Sequence, residues 1–168
     1  VDFFRRVADA SPIPVLLHNV PERAAVAIEP KSYVKLIGSG NIVGTKDGVK
    51  DLDHLARLIH VARGRDFSVL TGKDTTAFPL LAFGGQGVFT VAGNILPGVM
   101  RTIVETCLAG DLAAARESHE RYFDLFEALR LETNPMAVKE ALSLLGLPGG
   151  PLRPPLTRLG EANRETLK

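Results

Sequence analysis

The sequence predicts an α/β protein made of βα units in series, and three observations carry that prediction. Four short, apolar, β-rich runs recur in the N-terminal part of the chain. Each is followed by residues whose apolar positions repeat at helical spacing. The runs are apolar on both faces, the pattern of parallel strands covered by helices on one side and packed against core on the other. Such a series admits either an open doubly wound sheet or a closed (β/α)8 barrel. A barrel takes about 250 residues, so on the barrel reading the 168 residues present supply about half of one.

The strands are expected at Ile13 to Asn19, Asn41 to Lys46, Phe67 to Thr71 and Gly87 to Ala92, each bounded by glycine or polar turn residues. After the first, Glu29-Pro30 places proline where an opening helical turn tolerates it. Tyr33, Leu36 and Ile37 then form an apolar face, and Gly38 ends the segment. Asp51 is positioned to cap the next helix, whose Leu52, Leu55, Ala56, Ile59 and Ala62 share one face. A third helix starts around Thr75 and Thr76, with Pro79 near its first turn, and a fourth runs from Leu96 to Ala109.

Beyond Gly110 the strand signal stops. Leu112, Ala115, His119, Tyr122, Phe126 and Leu129 predict one long amphipathic helix, and a further helix is expected from Met136 to Leu145. A turn-rich connector with Pro148, Gly149, Gly150, Pro151, Pro154 and Pro155 precedes the last helical pattern. The expected division is therefore 1–110 for the βα units and 111–168 for a helical extension.

Composition narrows the function. The 45% hydrophobic content is enough for one sizeable core. Twenty Lys and Arg against 19 Asp and Glu give a net charge of +1 without a basic stripe, which argues against nucleic acid as a partner. The longest apolar stretches fall far short of the roughly 20 residues needed to cross a bilayer, so no membrane span is expected. The single cysteine, Cys107, cannot form an internal disulfide and reads as a small buried hydrophobe, which fits a reducing, cytoplasmic setting. The chain begins Val1-Asp2-Phe3-Phe4 without Met or a signal-peptide core, and its start reads as a cut.

Among candidate motifs, Gly38 to Lys46 superficially resembles a phosphate loop. It ends Gly-Thr-Lys, however, where that motif requires Gly-Lys followed by Ser or Thr. Ile42 and Val43 also read as strand, where a phosphate cradle needs open backbone leading into a helix. His18, His54, His60 and His119 form no i, i+4 pair and have no cysteine cluster beside them, so no metal site is expected. His54 and His60 are expected on a solvated helix face, and His119 in a structural role. Lys46 stands apart. It ends an apolar strand just before Asp47-Gly48, at the carboxyl rim where barrel enzymes carry their chemistry. A lysine partly removed from water there can offer a neutral amine to a carbonyl, although by position alone a surface lysine with its stem laid on apolar surface is the commoner case.

The run Leu17-His18-Asn19-Val20-Pro21-Glu22-Arg23 resembles a Tyr-Asn-x-Pro-x-Arg segment, and Gly44-Thr45-Lys46-Asp47 resembles a Gly-x-Lys-Asp/Glu segment. Both belong to the family of dihydrodipicolinate synthase and N-acetylneuraminate lyase. The resemblance continues through Leu70 to Asp74, Gly84 to Val88, Asn94 and Asn134 to Lys139. It implies a (β/α)8 barrel of which this chain supplies about the last four βα units plus C-terminal helices. It also implies a Schiff-base-forming lyase that condenses or cleaves pyruvate-type 2-oxo acids and an aldehyde, without metal or diffusible cofactor.

Residue by residue, the resemblance makes Lys46 the imine former, His18 the occupant of the proton-relay tyrosine position, and Arg23 the holder of the second substrate's carboxylate. Arg23 resembles the synthase branch, whereas Lys46-Asp47 also resembles the hydroxy-oxoglutarate and keto-deoxy sugar-acid aldolases. The implied partners are the missing N-terminal half of the barrel, which carries a carboxylate-binding Gly-Thr-Thr-Gly-Glu segment, and further copies in a homo-oligomer. The rival reading, motivated by His18 in place of tyrosine, is a catalytically impaired relative acting as a binding or assembly module.

Overall fold

A computed structural model describes residues 1–168. They fall into two compact units, Val1–Phe89 and Thr90–Lys168.

The first unit is a four-stranded parallel sheet in the order β1-β2-β3-β4, with strands Val15–Asn19, Ile42–Asp47, Ser68–Thr71 and Gly87–Val88. Helix α1 (Asp2–Ala10) precedes β1, and the short α2 (Pro21–Ala24) and α3 (Pro30–Leu36) follow it. Helix α4 (Leu52–Ala62) follows β2 and α5 (Ala77–Ala82) follows β3. Proline opens both α2 and α3, where its missing N–H would have no partner in any case. The Asp51 side chain caps α4 by accepting the N–H groups of Asp53 and His54, an arrangement that contributes about 1 kcal/mol.

One face of this sheet is sealed. Leu17, Ile42 and Val69 pack with Tyr33 and Leu36 of α3, Leu55 and Leu58 of α4, and Phe67, which meets the Tyr33 ring edge-on at 6.1 Å. The other face is open, with Leu16 and His18 exposed and Lys46 and Leu70 partly so. Strand ends are tied together beyond the ladder. The carbonyls of Asn19, Asp47 and Thr71 accept the N–H groups of Gly48, Gly72 and Phe89, each at 2.8 Å.

The fourth strand is shorter than the expected Gly87 to Ala92. Gly93 N–H donates to the Thr90 hydroxyl at 2.8 Å and Asn94 N–H to the Val91 carbonyl at 3.1 Å, which turns the backbone into a helical turn at Ala92–Asn94.

The second unit is helical: α6 (Pro97–Leu108), α7 (Leu112–Arg121), α8 (Phe123–Ala128), α9 (Met136–Leu144) and α10 (Glu161–Leu167). Helix α6 packs on α7. Met136, Ala137 and Leu159 form a small core with Leu152, Leu156 and Leu167. The single helix expected over 112–129 is interrupted at Tyr122, whose φ of −112° and ψ of 10° leave the helical region. His119 is buried there, its ring 5.7 Å from Phe123 and 5.4 Å from Phe126. No helix of the molecule is long and apolar enough to cross a membrane.

Candidate active site

The register of the sheet sorts the strand ends into two rows. His18, Lys46, Leu70 and Gly87 are successive partners across β1 to β4, and partners in parallel strands project to the same face. The next row, Asn19, Asp47, Thr71 and Val88, projects to the opposite, helix-covered face. Lys46 and His18 therefore stand side by side on the open face, at the carboxyl edge of a parallel sheet.

Two features shape the surroundings of Lys46. Its stem passes over Gly72, where a Cβ would lie 2.7 Å from Lys46 Cε, so a larger residue there would push the end of the lysine aside. Its Nζ sits 5.3 Å from the centroid of the Phe89 ring, within reach of a cation–π contact. The ionisation of His18 is lowered by partial burial and by the positive charges of Lys46 and Arg23, which outweigh the carboxylate of Asp47. At neutral pH this imidazole is uncharged and can accept a proton beside the amine.

Arg23 lies on α2, directly beyond β1, with its side chain exposed. Its neighbour Glu22 accepts a 2.8 Å hydrogen bond from the buried Lys73 ammonium and lies 3.7 Å from Lys50. That ties the α2 turn to the loop after β3. No group of three or more His, Cys, Asp and Glu side chains is gathered in a way that could hold a metal ion.

Beneath the sheet lies a cluster that sequence reasoning missed. Asp47 has no exposed surface, and its Oδ2 accepts from Asn19 Nδ2 at 2.8 Å, His54 Nε2 at 3.0 Å and Tyr33 OH at 3.3 Å. Its Oδ1 accepts from Val49 N–H at 2.8 Å. Burial pushes the Asp47 carboxyl up, but the donors from His54, Asn19 and Val49 outweigh it and hold the group below the usual carboxylate range. The hydrogen bond to Asp47 correspondingly raises His54, against its own desolvation and with help from Glu29 and Asp51. Burial pushes the Tyr33 phenol far up, so it remains a donor.

His54 is thus not on a solvated face as expected. It sits on the inner side of α4, 8% exposed, because Asp47 supplies the charged partner that makes its burial tolerable. His60 is exposed as expected. Strand parity carried a usable signal: if Lys46 faces the opening, Asp47 must face the helices and needs donors there.

A parallel α/β unit with a lysine and an imidazole side by side at the carboxyl edge of its strands has the layout of the βα enzymes. The chain belongs to the dihydrodipicolinate synthetase family, whose model matches residues 1–168. The 4-hydroxy-tetrahydrodipicolinate synthase of Methanoculleus marisnigri is 40% identical over 168 residues, covering 100% of this chain and 57% of that protein. The same enzyme of Thermomicrobium roseum is 42% identical over 161 residues, covering 96% of this chain and 53% of that one.

Among solved structures, the chloride-inhibited dihydrodipicolinate synthase of Acinetobacter baumannii, complexed with pyruvate, superposes with a TM-score of 0.94. It is 34% identical, over 99% of this chain and 57% of that one. The Aquifex aeolicus dihydrodipicolinate synthase gives 0.93 at 35% identity, with the same coverage. The chain spans little more than half the length of the relatives it matches.

Proposed function

We propose that residues 1–168 supply the last four βα units of a (β/α)8 barrel, residues 1–110, with a helical extension over 111–168. In the complete barrel Lys46 forms a Schiff base with pyruvate or a related 2-oxo acid. The observation that carries this reading is the placement of Lys46: strand-end, on the open face, beside His18, in a chain of this family. The relatives' name as 4-hydroxy-tetrahydrodipicolinate synthases supports the synthase branch over a sugar-acid aldolase.

The neutral Lys46 amine adds to the keto carbon, and loss of one water with uptake of one proton from solvent gives the imine, protonated on nitrogen. That cation withdraws electrons and acidifies the neighbouring methyl, whose proton leaves to give an enamine. The enamine carbon then attacks an aldehyde carbon, forming a carbon–carbon bond, and water later releases the product and restores the amine. Uncharged His18 moves protons to and from the nitrogen and oxygen centres in these steps. Arg23, with its exposed guanidinium free to form a bidentate pair, holds the carboxylate of the second substrate.

The test is borohydride trapping. The intact protein incubated with pyruvate and borohydride should gain the mass of the reduced adduct on the peptide containing Lys46, and Lys46→Ala should abolish it. Labelling confined to Lys50 or Lys73 would sink the assignment.

A further inference from the structure

Asp47 follows Lys46 directly, and its carboxylate is held by four donors. Asn19, Tyr33, His54 and the Val49 N–H all bind it, in a position with no exposed surface. Stability alone does not account for such a group, because replacing a buried ion pair by apolar side chains of similar volume is often neutral or stabilising.

Its connections lead back to the lysine. The Asp47 carbonyl accepts Gly72 N–H at 2.8 Å, and Gly72 is the bare Cα over which the Lys46 stem passes. One strand further, the Thr71 carbonyl accepts Phe89 N–H at 2.8 Å, and the Phe89 ring lies beside Lys46 Nζ. Successive strand residues point to opposite faces. Clamping the Asp47 side chain beneath the sheet therefore fixes the peptide that joins it to Lys46, and with it the direction in which the lysine leaves the sheet.

We propose that Asp47 and His54 are a positioning pair for Lys46. His54, carried on α4 with its N–H bonded to the Asp51 cap, locks the carboxylate from below, and the locked strand end aims the amine along the open face. Neither residue touches substrate. Glu29, before α3, and Asp51 add to the negative field around the imidazole and, with the bond to Asp47, favour its protonated form. The inference rests on Lys46 being the imine former.

The experiment compares wild type with His54→Phe, His54→Gln and Asp47→Asn in the intact protein. It reads two quantities: the borohydride-trapping rate with pyruvate, and the acylation rate of Lys46 relative to exposed Lys50 with acetic anhydride. In His54→Phe the maximal trapping rate should fall roughly ten- to a hundredfold, as expected for an amine displaced from attack geometry. The pyruvate concentration giving half that rate should stay unchanged. The Lys46:Lys50 acylation ratio should shift, and His54→Gln, which can still donate to Asp47, should recover most of both losses.

If His54→Phe does not fold, Asp47→Asn read against His54→Gln makes the same comparison. Wild-type protein without an adduct on Lys46 would defeat the Schiff-base reading, and the acylation ratio would then decide the positioning role by itself. An unchanged ratio in the folded Phe or Asn variant overturns the proposal, as does a melting-temperature loss with trapping kinetics intact.

Discussion

His18 is where a single residue most changes the expected chemistry. A tyrosine in its place would titrate near ~10, whereas an unperturbed histidine does so near ~6.5. Here burial and the charges of Lys46 and Arg23 lower it further. If His18 relays protons as the free base, turnover should fall as pH drops through an ionisation below ~6.5. His18→Phe should cost roughly 10²–10⁴ in kcat and remove that acid limb. A pH–rate profile and kcat left unchanged by the substitution would show that the imidazole only packs. Lys46 drew notice by its place at a strand end, whereas His18 and Arg23 became candidates only through the family resemblance. Gly72 and Phe89 were not legible, because both reach Lys46 from the segments that follow β3 and β4, far away in sequence.

At the scale of elements, the Asp47–His54 bond joins β2 to α4 across a buried gap and makes their docking pH-dependent. His54 is raised in the folded state, so its contribution is complete below the unfolded value of ~6.5 and is lost as pH rises through the raised folded value. Asp47 is lowered, so its contribution is complete above ~3.9 and is lost as pH falls through the depressed folded value. Thermal melts should accordingly be most stable between those limits. In His54→Gln the alkaline loss near the raised histidine value should disappear while the acid loss persists, and an unaltered alkaline limb would refute the linkage.

Element existence was easier to read than element ends. The cap at Asp51 and the proline opening α3 are local chemistry, written in adjacent residues, whereas α1 and α2 were not foreseen. The break at Tyr122 was hidden because Ala115, His119, Phe126 and Leu129 keep helical spacing straight through it. The early end of β4 depends on the Thr90 hydroxyl choosing Gly93 N–H, one outcome among several for that residue.

For the whole molecule, the sheet order leaves β1 and β4 as edges, with unpaired main-chain groups that invite association. The open face adds exposed Leu16 and Phe89, and α1 presents Phe3 and Val7 one turn apart to solvent. A half-barrel completed by a second half would bury these surfaces, and a chain spanning 57% of its relatives is the right size to be one. Prepared by itself, the 168-residue chain should therefore associate with further copies or with a separately made N-terminal half. It should form the Lys46 adduct slowly, because the carboxylate-binding segment that the family resemblance implies belongs to the other half. Fixing a carbonyl in attack geometry is worth orders of magnitude in rate, and a misplacement of about 1 Å costs roughly a hundredfold. Mixing with the complementary half should convert the species to a defined larger mass and raise the trapping rate by at least about that factor. Light scattering alongside borohydride trapping measures both. A monomer that traps pyruvate as fast alone as in the mixture would mean that these four strands form a complete site, and the half-barrel reading would have to be abandoned.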